Sequence, residues 1–584
     1  MRIKARLCLL MIFLAAALYL INISPEAEPP VIGPPTPTET ATPANFHGIG
    51  ETAGPLTTDP EDKATPASEA SPSADPITES TPDPSLPADL PSVTPSETIS
   101  PTPTATPVPT PDPNAAPSHT PTSTPSTSPK PPPSPTTSPV PTSNPPEQTV
   151  RASSYGVSGS ITETLCAFIA GSDKITVDST ESFLVGQGVA IEGAGRSGVK
   201  DGWLVTAILS IDGNVLTVRN AAHASGYAKR LIHDDSAAMQ EAVNAAGSKL
   251  IIDVKHCYIH NVRLKSNLTV TGDRPILYAP PYTTNPNHRY NVDYQIFYIE
   301  GKHNIVIDNL VFDQGSTRGV EGDLYNGVIS FRSINNENIT FKNNLFQNGK
   351  YLAGRNYGSQ KNIRFYRNTF NNVDTAMHFY GDIQADGITI EENVVSDGTS
   401  ECVAIISGQS PNSWARNIKI INNKFSGKVK SAAIFYGGNT TYCEIAFNTI
   451  ENCLGGIICY DKHIEDQPIT SQHISIHGNT ITTGDWIGIQ AAGRDIDIIK
   501  NTITGYQVDG ISFDTRTISE NVTIRENIII ACGAPMRLQH LKNAVVTKNI
   551  IKSYSELKDF PDGIVLRNNL SDTTIEDNQF ILLK

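Results

Sequence analysis

The sequence lacks several features that would indicate common functions. It has no basic cluster long enough to follow a phosphate backbone beyond its N-terminus, and its net charge is −15, so we do not expect a nucleic-acid partner. It has no Cys-x-x-Cys pair, and the seven cysteines after residue 8 are an odd number. At least one thiol is therefore free within the chain. We predict that most of these cysteines fill a protein interior, and a pairing of Cys443 with Cys453 or Cys459 stays open.

The N-terminus also lacks a full membrane span. Residues 1–6 are basic and residues 7–21 are nearly all apolar, but no convincing small-x-small cleavage site follows. We predict that residues 1–24 are either a cleaved signal sequence or an uncleaved membrane anchor, and that the protein is secreted or held at the cell surface.

Proline is nearly absent after residue 150, because 35 of the 43 prolines precede it. The Pro/Thr/Ser-rich stretch 25–150 has too few apolar residues to form a core. We predict a disordered linker that separates a folded part from a membrane or wall.

The folded part contains a recurring phrase in which a β-rich run is followed by an asparagine and one more apolar position. Examples are Asn362-Ile-Arg-Phe-Tyr-Arg-Asn368 and Asn417-Ile-Lys-Ile-Ile-Asn-Asn423. The matching asparagines are residues 344, 368, 393, 423, 448, 479, 501, 527, 549 and 578, at intervals of 22 to 31 residues that average 26. A period of this length predicts a repeat architecture.

Each repeat reads as strands and turns, with no stretch long enough for a helix. Apolar and polar residues alternate in the phrase, and a second strand such as Gly510-Ile-Ser-Phe-Asp514 lies upstream of it. Strands that recur once per turn without a helical crossover predict a β-solenoid of about ten coils. We interpret the asparagines as structural turn residues that tolerate the left-handed conformation and can bond one another from coil to coil.

Two further units precede the repeats. Residues 233–246 predict a capping helix, with Asp235 or Ser236 as the N-cap and Ala238, Met239, Ala242 and Val243 on one face. Short alternating runs at 175–177, 188–191, 204–208 and 215–218 predict a small β-domain over residues 151–230. The solenoid is then expected over residues 231–584.

The repeats resemble the right-handed parallel β-helix proteins of the pectate-lyase-like (pectin lyase fold) superfamily. The segment His233-Asp-Asp-Ser-Ala-Ala-Met-Gln-Glu-Ala-Val-Asn-Ala-Ala246 is similar to the helix that opens many such enzymes and tailspikes. The resemblance implies a right-handed parallel β-helix that handles polysaccharide on one outward face. The Asp-Pro-His-Asp phrase of alginate epimerases and the Gly-His-Gly of polygalacturonases are absent.

The upstream strand of each repeat supplies the candidate site. If Ile511 and Phe513 are buried, Ser512 and Asp514 point outward. The same parity exposes His378, Tyr380, Tyr460, Gln490, Arg537, Gln539 and Arg567, and two sets of candidate residues follow on the early and late coils. The early set contains Arg332, Arg355, Asp374, His378, Tyr380 and Asp382, and the late set contains Asp514, Arg516, Arg537, Gln539, His540 and Arg567. Tyr460 and Gln490 lie between them.

These residues fit two reactions on a glycan. Elimination from a uronic acid needs a base near the C5 proton and a cation or calcium at the carboxylate, so the predicted catalytic residues are His378, Tyr380, Asp514 and Arg537. The predicted substrate-binding residues are Arg332, Arg355, Tyr460, Gln490, Gln539 and Arg567. Hydrolysis needs two carboxylates, and only Asp514 is an outward acid on the central strand.

Two functions remain open from the sequence. The first is an extracytoplasmic lyase or hydrolase of acidic polysaccharide, with calcium as the one cofactor considered. The second is a non-catalytic surface protein that binds glycan or serves in adhesion or as an envelope component. We expect a polysaccharide or cell-surface glycan as the partner, a membrane only through an uncleaved N-terminus, and a monomer, with the oligomeric state left open.

Overall fold

A computed structural model describes residues 148–196, 202–280, 295–315, 329–398, 400–407, 412–460, 471–513, 518–554, 563–567 and 570–584. All of them lie within one compact unit, residues 131–584. The predicted signal or anchor and nearly all of the predicted linker lie outside the described residues. No helix among the described residues is long and apolar enough to cross a membrane.

Strands account for nearly all the regular structure of the described chain. The first part contains a 3₁₀ helix at Ala152–Tyr155, an α-helix, α1, at Ser236–Ala245, and the strands β1 Thr149–Arg151, β2 Glu163–Phe168, β3 Lys174–Val177, β4 Gly188–Ile191, β5 Leu204–Asp212, β6 Val215–Val218, β7 Gly226–His233, β8 Lys249–Ile252, β9 His256–Tyr258, β10 Val262–Arg263, β11 Leu268–Gly272, β12 Ile276–Tyr278, β13 Gln295–Glu300, β14 His303–Asp308, β15 Val311–Asp313, β16 Ile329–Lys342, β17 Leu345–Leu352, β18 Gly354–Tyr366, β19 Thr369–Thr375 and β20 Met377–Glu391.

The second part continues without a helix among the described residues. Its strands are β21 Val394–Ser396, β22 Val403–Ser407, β23 Trp414–Ile421, β24 Lys424–Gly437, β25 Thr440–Ala446, β26 Thr449–Tyr460, β27 Gln472–His477, β28 Thr480–Gly484, β29 Ile487–Gln490, β30 Arg494–Ile499, β31 Thr502–Tyr506, β32 Asp509–Ser512, β33 Ser519–Arg525, β34 Ile528–Ile530, β35 Ala534–Leu538, β36 Leu541–Thr547, β37 Ile550–Ser553, β38 Ile564–Leu566, β39 Leu570–Glu576 and β40 Gln579–Leu582.

The solenoid strands pair only in parallel, each with the equivalent strand one coil away, which confirms the predicted parallel β-helix. They form three faces. Sheet 1 contains β10, β13, β22, β29, β32, β35 and β38, sheet 2 contains the phrase strands from β8 and β11 to β39, and sheet 3 contains β9, β12 and the short strands that follow each ladder asparagine. The long strands β16, β18 and β20 run from sheet 1 into sheet 2, and β24 and β26 run from sheet 3 into sheet 1.

The interior is filled by side chains that repeat from coil to coil. Phenylalanine rings stack along the axis, with Phe341 and Phe365 centroids 4.9 Å apart and Phe346 and Phe370 centroids 4.7 Å apart. Ile390 and Ile420, both 0% exposed, continue the column of Phe341 and Phe365. Because strands lie ~4.7–4.9 Å apart, equal side chains in register pack without gaps.

The asparagines form the predicted coil-to-coil ladder. Each amide nitrogen from Asn344 to Asn549 donates to the amide oxygen of the next ladder asparagine at 2.8 to 3.0 Å, and the series ends at Asn578. The left-handed residue is the one before each asparagine, as at Asn422, where φ is 57°. The expected conformation was therefore assigned one residue too late, because the ladder side chain must point inward from the residue that follows the turn.

Helix α1 closes the first coil as predicted. Met239, Ala242 and Val243 are buried against the solenoid core. The side chain of Asp234 accepts the N–H of Ser236 at 2.9 Å, whereas Asp235 accepts the N–H and hydroxyl of Ser158. Asp235 therefore occupies the expected N-cap position, but its side chain makes no capping hydrogen bond because it binds Ser158 in the segment before the barrel.

The small β-domain is a closed barrel of β2, β3, β6, β5, β4 and β7. Its strands run from Glu163 to His233, which differs from the expected 151–230. Strand β1 at Thr149–Arg151 pairs in parallel with β8, so the solenoid edge begins before the barrel. All seven cysteines after residue 8 are free and buried, Cys166 in the barrel core and the others in the solenoid core.

Candidate functional site

One column of side chains points outward along sheet 1. Successive strands pair Arg263 with Tyr298 and then continue through the sheet in strict register. We call this series the outward column; it contains Arg263, Tyr298, Arg332, Arg355, His378, Ala404, Phe435, Ile458, Gln490, Ser512, Arg537 and Val565. Its members alternate along each strand with buried residues such as Met377 and Phe379, as a strand with one covered face requires.

The first five members, Arg263 to His378, form a cationic stretch interleaved with tyrosine. The guanidinium of Arg263 lies 4.6 Å from the Tyr298 ring centre, and that of Arg332 lies 5.7 Å from the same ring. Tyr357 is flanked in turn by Arg332 at 5.2 Å and Arg355 at 5.4 Å. The Arg332 Nε also donates to the Tyr357 hydroxyl. Cation–π contacts therefore hold the arginines in a row with a fixed orientation.

Arg355 and His378 carry polar atoms that the described chain leaves without partners. Arg355 has no ion pair among the described residues, and its buried Nε has no hydrogen-bond partner there. His378 is 8% exposed, and its buried Nδ1 is likewise unpartnered. Burial, helped by the positive charge of Arg355, lowers the pKa of His378 to about 3. The imidazole is therefore neutral at neutral pH, with one nitrogen available to accept a proton or a hydrogen bond.

Arginines on sheet 2 are arranged differently. Arg364 and Arg367 both lie over Tyr366, at 4.3 and 4.6 Å, so they share the arginine–tyrosine contact. Each also forms a 2.7 Å ion pair with a glutamate of the next coil, Glu391 and Glu392 respectively. The charges of Arg364 and Arg367 are thus neutralised by glutamates of the next coil. Arg355 on sheet 1 has no such acidic partner among the described residues and can bind an acidic ligand.

The outward column becomes apolar after His378. Ala404, Phe435 and Ile458 belong to a small hydrophobic cluster outside the main core, together with Ile406, Ile487 and Ala432, and Tyr380 and Trp486 pack against it. The six aliphatic, alanine and phenylalanine side chains of this cluster are between 0 and 9% exposed, whereas Tyr380 and Trp486 are partly buried. We call this set the apolar cluster. It separates the cationic stretch from the polar residues of the later coils.

On the later coils, the arginine of the outward column is in an ion pair. Arg537 donates to both carboxylate oxygens of Asp509 at 2.8 to 3.0 Å, and Asp509 is only 2% exposed at its side chain. Gln490 and Ser512 precede Arg537 in the column. Because Asp509 is buried, the primary effect of Arg537 is to compensate that charge.

The structure brings part of the predicted early set together. Arg332, Arg355 and His378 are consecutive in the outward column, and the Tyr380 ring lies 5.4 Å from the His378 ring. Asp374 in β19 and Asp382 in β20 lie four positions before and after His378, and the Ser413 hydroxyl donates to Asp382 at 3.2 Å.

The predicted late residues are more scattered. Gln539 is half-buried and Arg567 is exposed, each two positions beyond the outward column. Asp514 and Arg516 lie outside the described residues, as does the side chain of Tyr460. Their roles stay predictions.

Two expectations about exposure are wrong. His378 is nearly covered, and Ser512 is 0% exposed, although both belong to the outward column. Strand parity gives the direction in which a side chain points, and not whether other parts of the chain cover it. Sequence reasoning also missed Arg263, Tyr298 and Tyr357. The signal was present in Gln295-Ile-Phe-Tyr-Ile-Glu300, which has the alternation of the later strands but no ladder asparagine to mark its register.

We find no group of three or more His, Cys, Asp or Glu side chains arranged to hold a metal ion within the described part of the chain. A shallow groove of about 340 Å³ lies on sheet 2 and is lined by His473, Ser475, Asp495, Asp497 and Asn521. It contains none of the predicted site residues, and its carboxylates would repel an acidic ligand.

Comparison with known families supports the fold. Residues 411–580 match the family model described as "Right handed beta helix region". The fold is a right-handed parallel β-helix. This is the architecture that the repeats predict, and the match covers under a third of the 584 residues. No curated protein matches the chain in sequence.

Solved structures with similar architecture differ in what they do. The mannuronan C-5 epimerase AlgE6 A-module of Azotobacter vinelandii is 13% identical, with 59% of this chain and 96% of that chain covered and a TM-score of 0.39. An exopolygalacturonase of Thermotoga maritima is 11% identical, with 60% and 88% covered and a TM-score of 0.36. PfbA, a surface adhesin of Streptococcus pneumoniae, is 14% identical, with 60% and 89% covered and a TM-score of 0.34. At these values we draw no argument about activity from them.

Proposed function

We propose that the protein binds an acidic polysaccharide along the cationic stretch of the outward column. The observation that carries this proposal is the alternation of Arg263, Tyr298, Arg332, Tyr357 and Arg355, in which Arg355 has no acidic partner among the described residues. Guanidinium groups bind carboxylates through paired, charge-assisted hydrogen bonds. Tyrosine rings offer apolar faces to sugar rings, while the Tyr298 hydroxyl donates to Glu300 at 2.7 Å and the Tyr357 hydroxyl accepts from Arg332.

The spacing of the column suits a linear polymer. Adjacent strands of a sheet lie ~4.7–4.9 Å apart, which is comparable to the length of one pyranose residue in an extended chain. Arg332 and Arg355 occupy adjacent coils. They are therefore placed to contact carboxylates of consecutive sugars when the polymer runs parallel to the solenoid axis.

A second function, cleavage by β-elimination, is favoured by the environment of His378. The unpartnered Nδ1 of this neutral imidazole lies on the coil after Arg355, which would neutralise the uronate carboxylate. A bound carboxylate would also raise the pKa of His378 from its low value in the free protein. The base would remove the C5 proton, the C4–O bond would break as the C4–C5 double bond forms, and Tyr380 would protonate the departing oxygen.

Hydrolysis is less well supported than elimination. Hydrolysis needs two carboxylates across the scissile bond. None of the twelve residues that define the outward column is an aspartate or a glutamate. Asp509 lies near the column but is held by Arg537. The non-catalytic alternative, a surface protein that only holds glycan, remains in competition with the lyase.

We further propose an extracytoplasmic location, supported by the basic and then apolar N-terminal segment and the Pro/Thr/Ser-rich linker. Acidic polysaccharides are abundant outside cells, so the location and the proposed ligand are consistent.

The test is a binding and product panel with the full chain. We expect polygalacturonate and alginate to bind and neutral dextran not to bind, with affinity that falls as salt increases. A rise in the ultraviolet absorbance of unsaturated uronides would establish elimination. Binding with neither this product nor new reducing ends would show that the protein binds the glycan without cleaving it. Equal affinity for single-stranded DNA would overturn the choice of a glycan, and equal binding of dextran would overturn the acidic site.

A further inference from the structure

The cationic stretch is bounded at both ends by other parts of the fold. At its start, the side chain of Gln240 on α1 accepts the backbone N–H of Arg263 at 2.7 Å and donates to the Arg263 carbonyl at 3.1 Å. The capping helix therefore occupies the edge of the strand on which the outward column begins. Arg263 itself is exposed, so it forms the outermost cation of the stretch.

The other end is set by the apolar cluster. The residue that pairs with His378 on the next coil is Ala404, followed by Phe435 and Ile458, and these three are 2%, 8% and 1% exposed. Because these three side chains are apolar and nearly covered, they offer an approaching polymer neither a charge nor a hydrogen bond. Favourable contacts for an acidic polymer thus stop at His378 and Tyr380.

The length between these boundaries is short. From Arg263 to His378 the outward column passes through Tyr298, Arg332 and Arg355. At a strand spacing of about 4.8 Å these four coil steps span roughly 19 Å. One sugar per coil then gives about five contacted residues.

We infer that the site recognises a short block of about five consecutive sugars, with acidic groups opposite Arg263, Arg332 and Arg355 and the rest of the polymer neutral or directed away from sheet 1. This inference rests on the proposed acidic-polysaccharide function. It adds the length of the recognised block and the positions of its charged sugars. The two adjacent arginines, Arg332 and Arg355, favour charges on neighbouring sugars over charges on alternate sugars. The protein therefore selects a block within or at the end of a glycan.

The experiment is a calorimetric titration of the full chain with purified oligouronates of increasing length. We expect affinity to rise, by roughly tenfold for each added arginine contact, until about five residues and then to level off. Arg263→Ala should move the plateau to about four residues, because the contacts from Tyr298 onward remain. Arg364→Ala, which removes an exposed arginine of sheet 2, should leave the plateau in place.

The outcomes separate the two proposals. Affinity that continues to rise well beyond six residues, or an Arg263→Ala plateau equal to that of the wild type, would overturn the bounded block while keeping the acidic site. Absence of binding at every length would overturn the proposed function itself. An alternating polymer that binds as tightly as the consecutive oligouronate would contradict the preference for neighbouring charges.

Discussion

The double variant Arg332→Ala/Arg355→Ala should lose at least about 100-fold in affinity for polygalacturonate, because each charge-assisted contact contributes roughly 1.5–3 kcal/mol. The two side chains are adjacent in the outward column and share contact with Tyr357. Their removal deletes the only pair of arginines on neighbouring coils among the described members of that column. Calorimetry at fixed ionic strength measures the loss, and the salt dependence of binding should become shallower.

The matched control is the double variant Arg364→Ala/Arg367→Ala. It removes two arginines that also lie over a tyrosine but are neutralised by Glu391 and Glu392. We expect binding within about twofold of the wild type, since exposed ion pairs contribute little. An equal loss in both double variants would show that binding follows overall charge, and the proposed site would then be wrong.

Asn423→Ala should lower the free energy of unfolding by about 3 kcal/mol, since several buried polar groups lose their partners at once. The Asn423 amide oxygen accepts from both the backbone N–H and the amide of Asn393, at 2.8 and 3.0 Å. Its amide nitrogen donates to the Ile390 carbonyl and to Asn448. Alanine satisfies none of these groups, and the ladder is broken at its middle. Urea unfolding followed by circular dichroism gives the change.

Asn371→Ala is the control for the ladder. Asn371 is exposed on sheet 3 and accepts only a 3.3 Å hydrogen bond from Ser396. Its replacement should change the free energy of unfolding by less than about 0.5 kcal/mol, as is usual for surface sites. Similar small changes in both variants would mean that the ladder amides are not a principal source of stability.

The repeat phrase was sufficient to predict the solenoid because its physical causes are local. A two-residue apolar alternation fixes which side faces inward, and an asparagine such as Asn423 recurs where a turn must be closed by an internal amide. The same alternation predicted an outward direction for His378, and the structure places it in one column with Arg332 and Arg355, which the sequence had assigned to the early coils. These inferences need only the period of the strand and the length of the repeat.

What the sequence could not supply is how side chains of one column pack on each other. Phe435 and Ile458 point outward by parity, yet they form the apolar cluster because neighbours on adjacent coils are also apolar. Ser512 also points outward by parity and is buried. The ion pair of Arg537 with Asp509 joins residues that are 28 positions apart on successive coils. The alternation within a single strand does not predict such a pair, because it depends on the register between coils.

The early coils escaped prediction for a different reason. Arg263 and Tyr298 lie before the first ladder asparagine, Asn344, so the phrase that sets the register elsewhere is missing there. Only the strand pairing of sheet 1 aligned them with Arg332. The most distinctive feature of the site, the alternation of arginine and tyrosine, therefore arises from coils whose sequence spacing is irregular.

Hydroxyl-radical footprinting of the full chain, with and without polygalacturonate, tests the central claim most directly, because it reports the solvent access of individual side chains. We predict that the polymer protects Tyr298 and Tyr357 on sheet 1, while Tyr442 and Phe447 on sheet 2, both 58% exposed, remain as reactive as in the free protein. Protection of Tyr442 and Phe447 with no change at Tyr298 and Tyr357 would contradict the assignment of the glycan to the outward column.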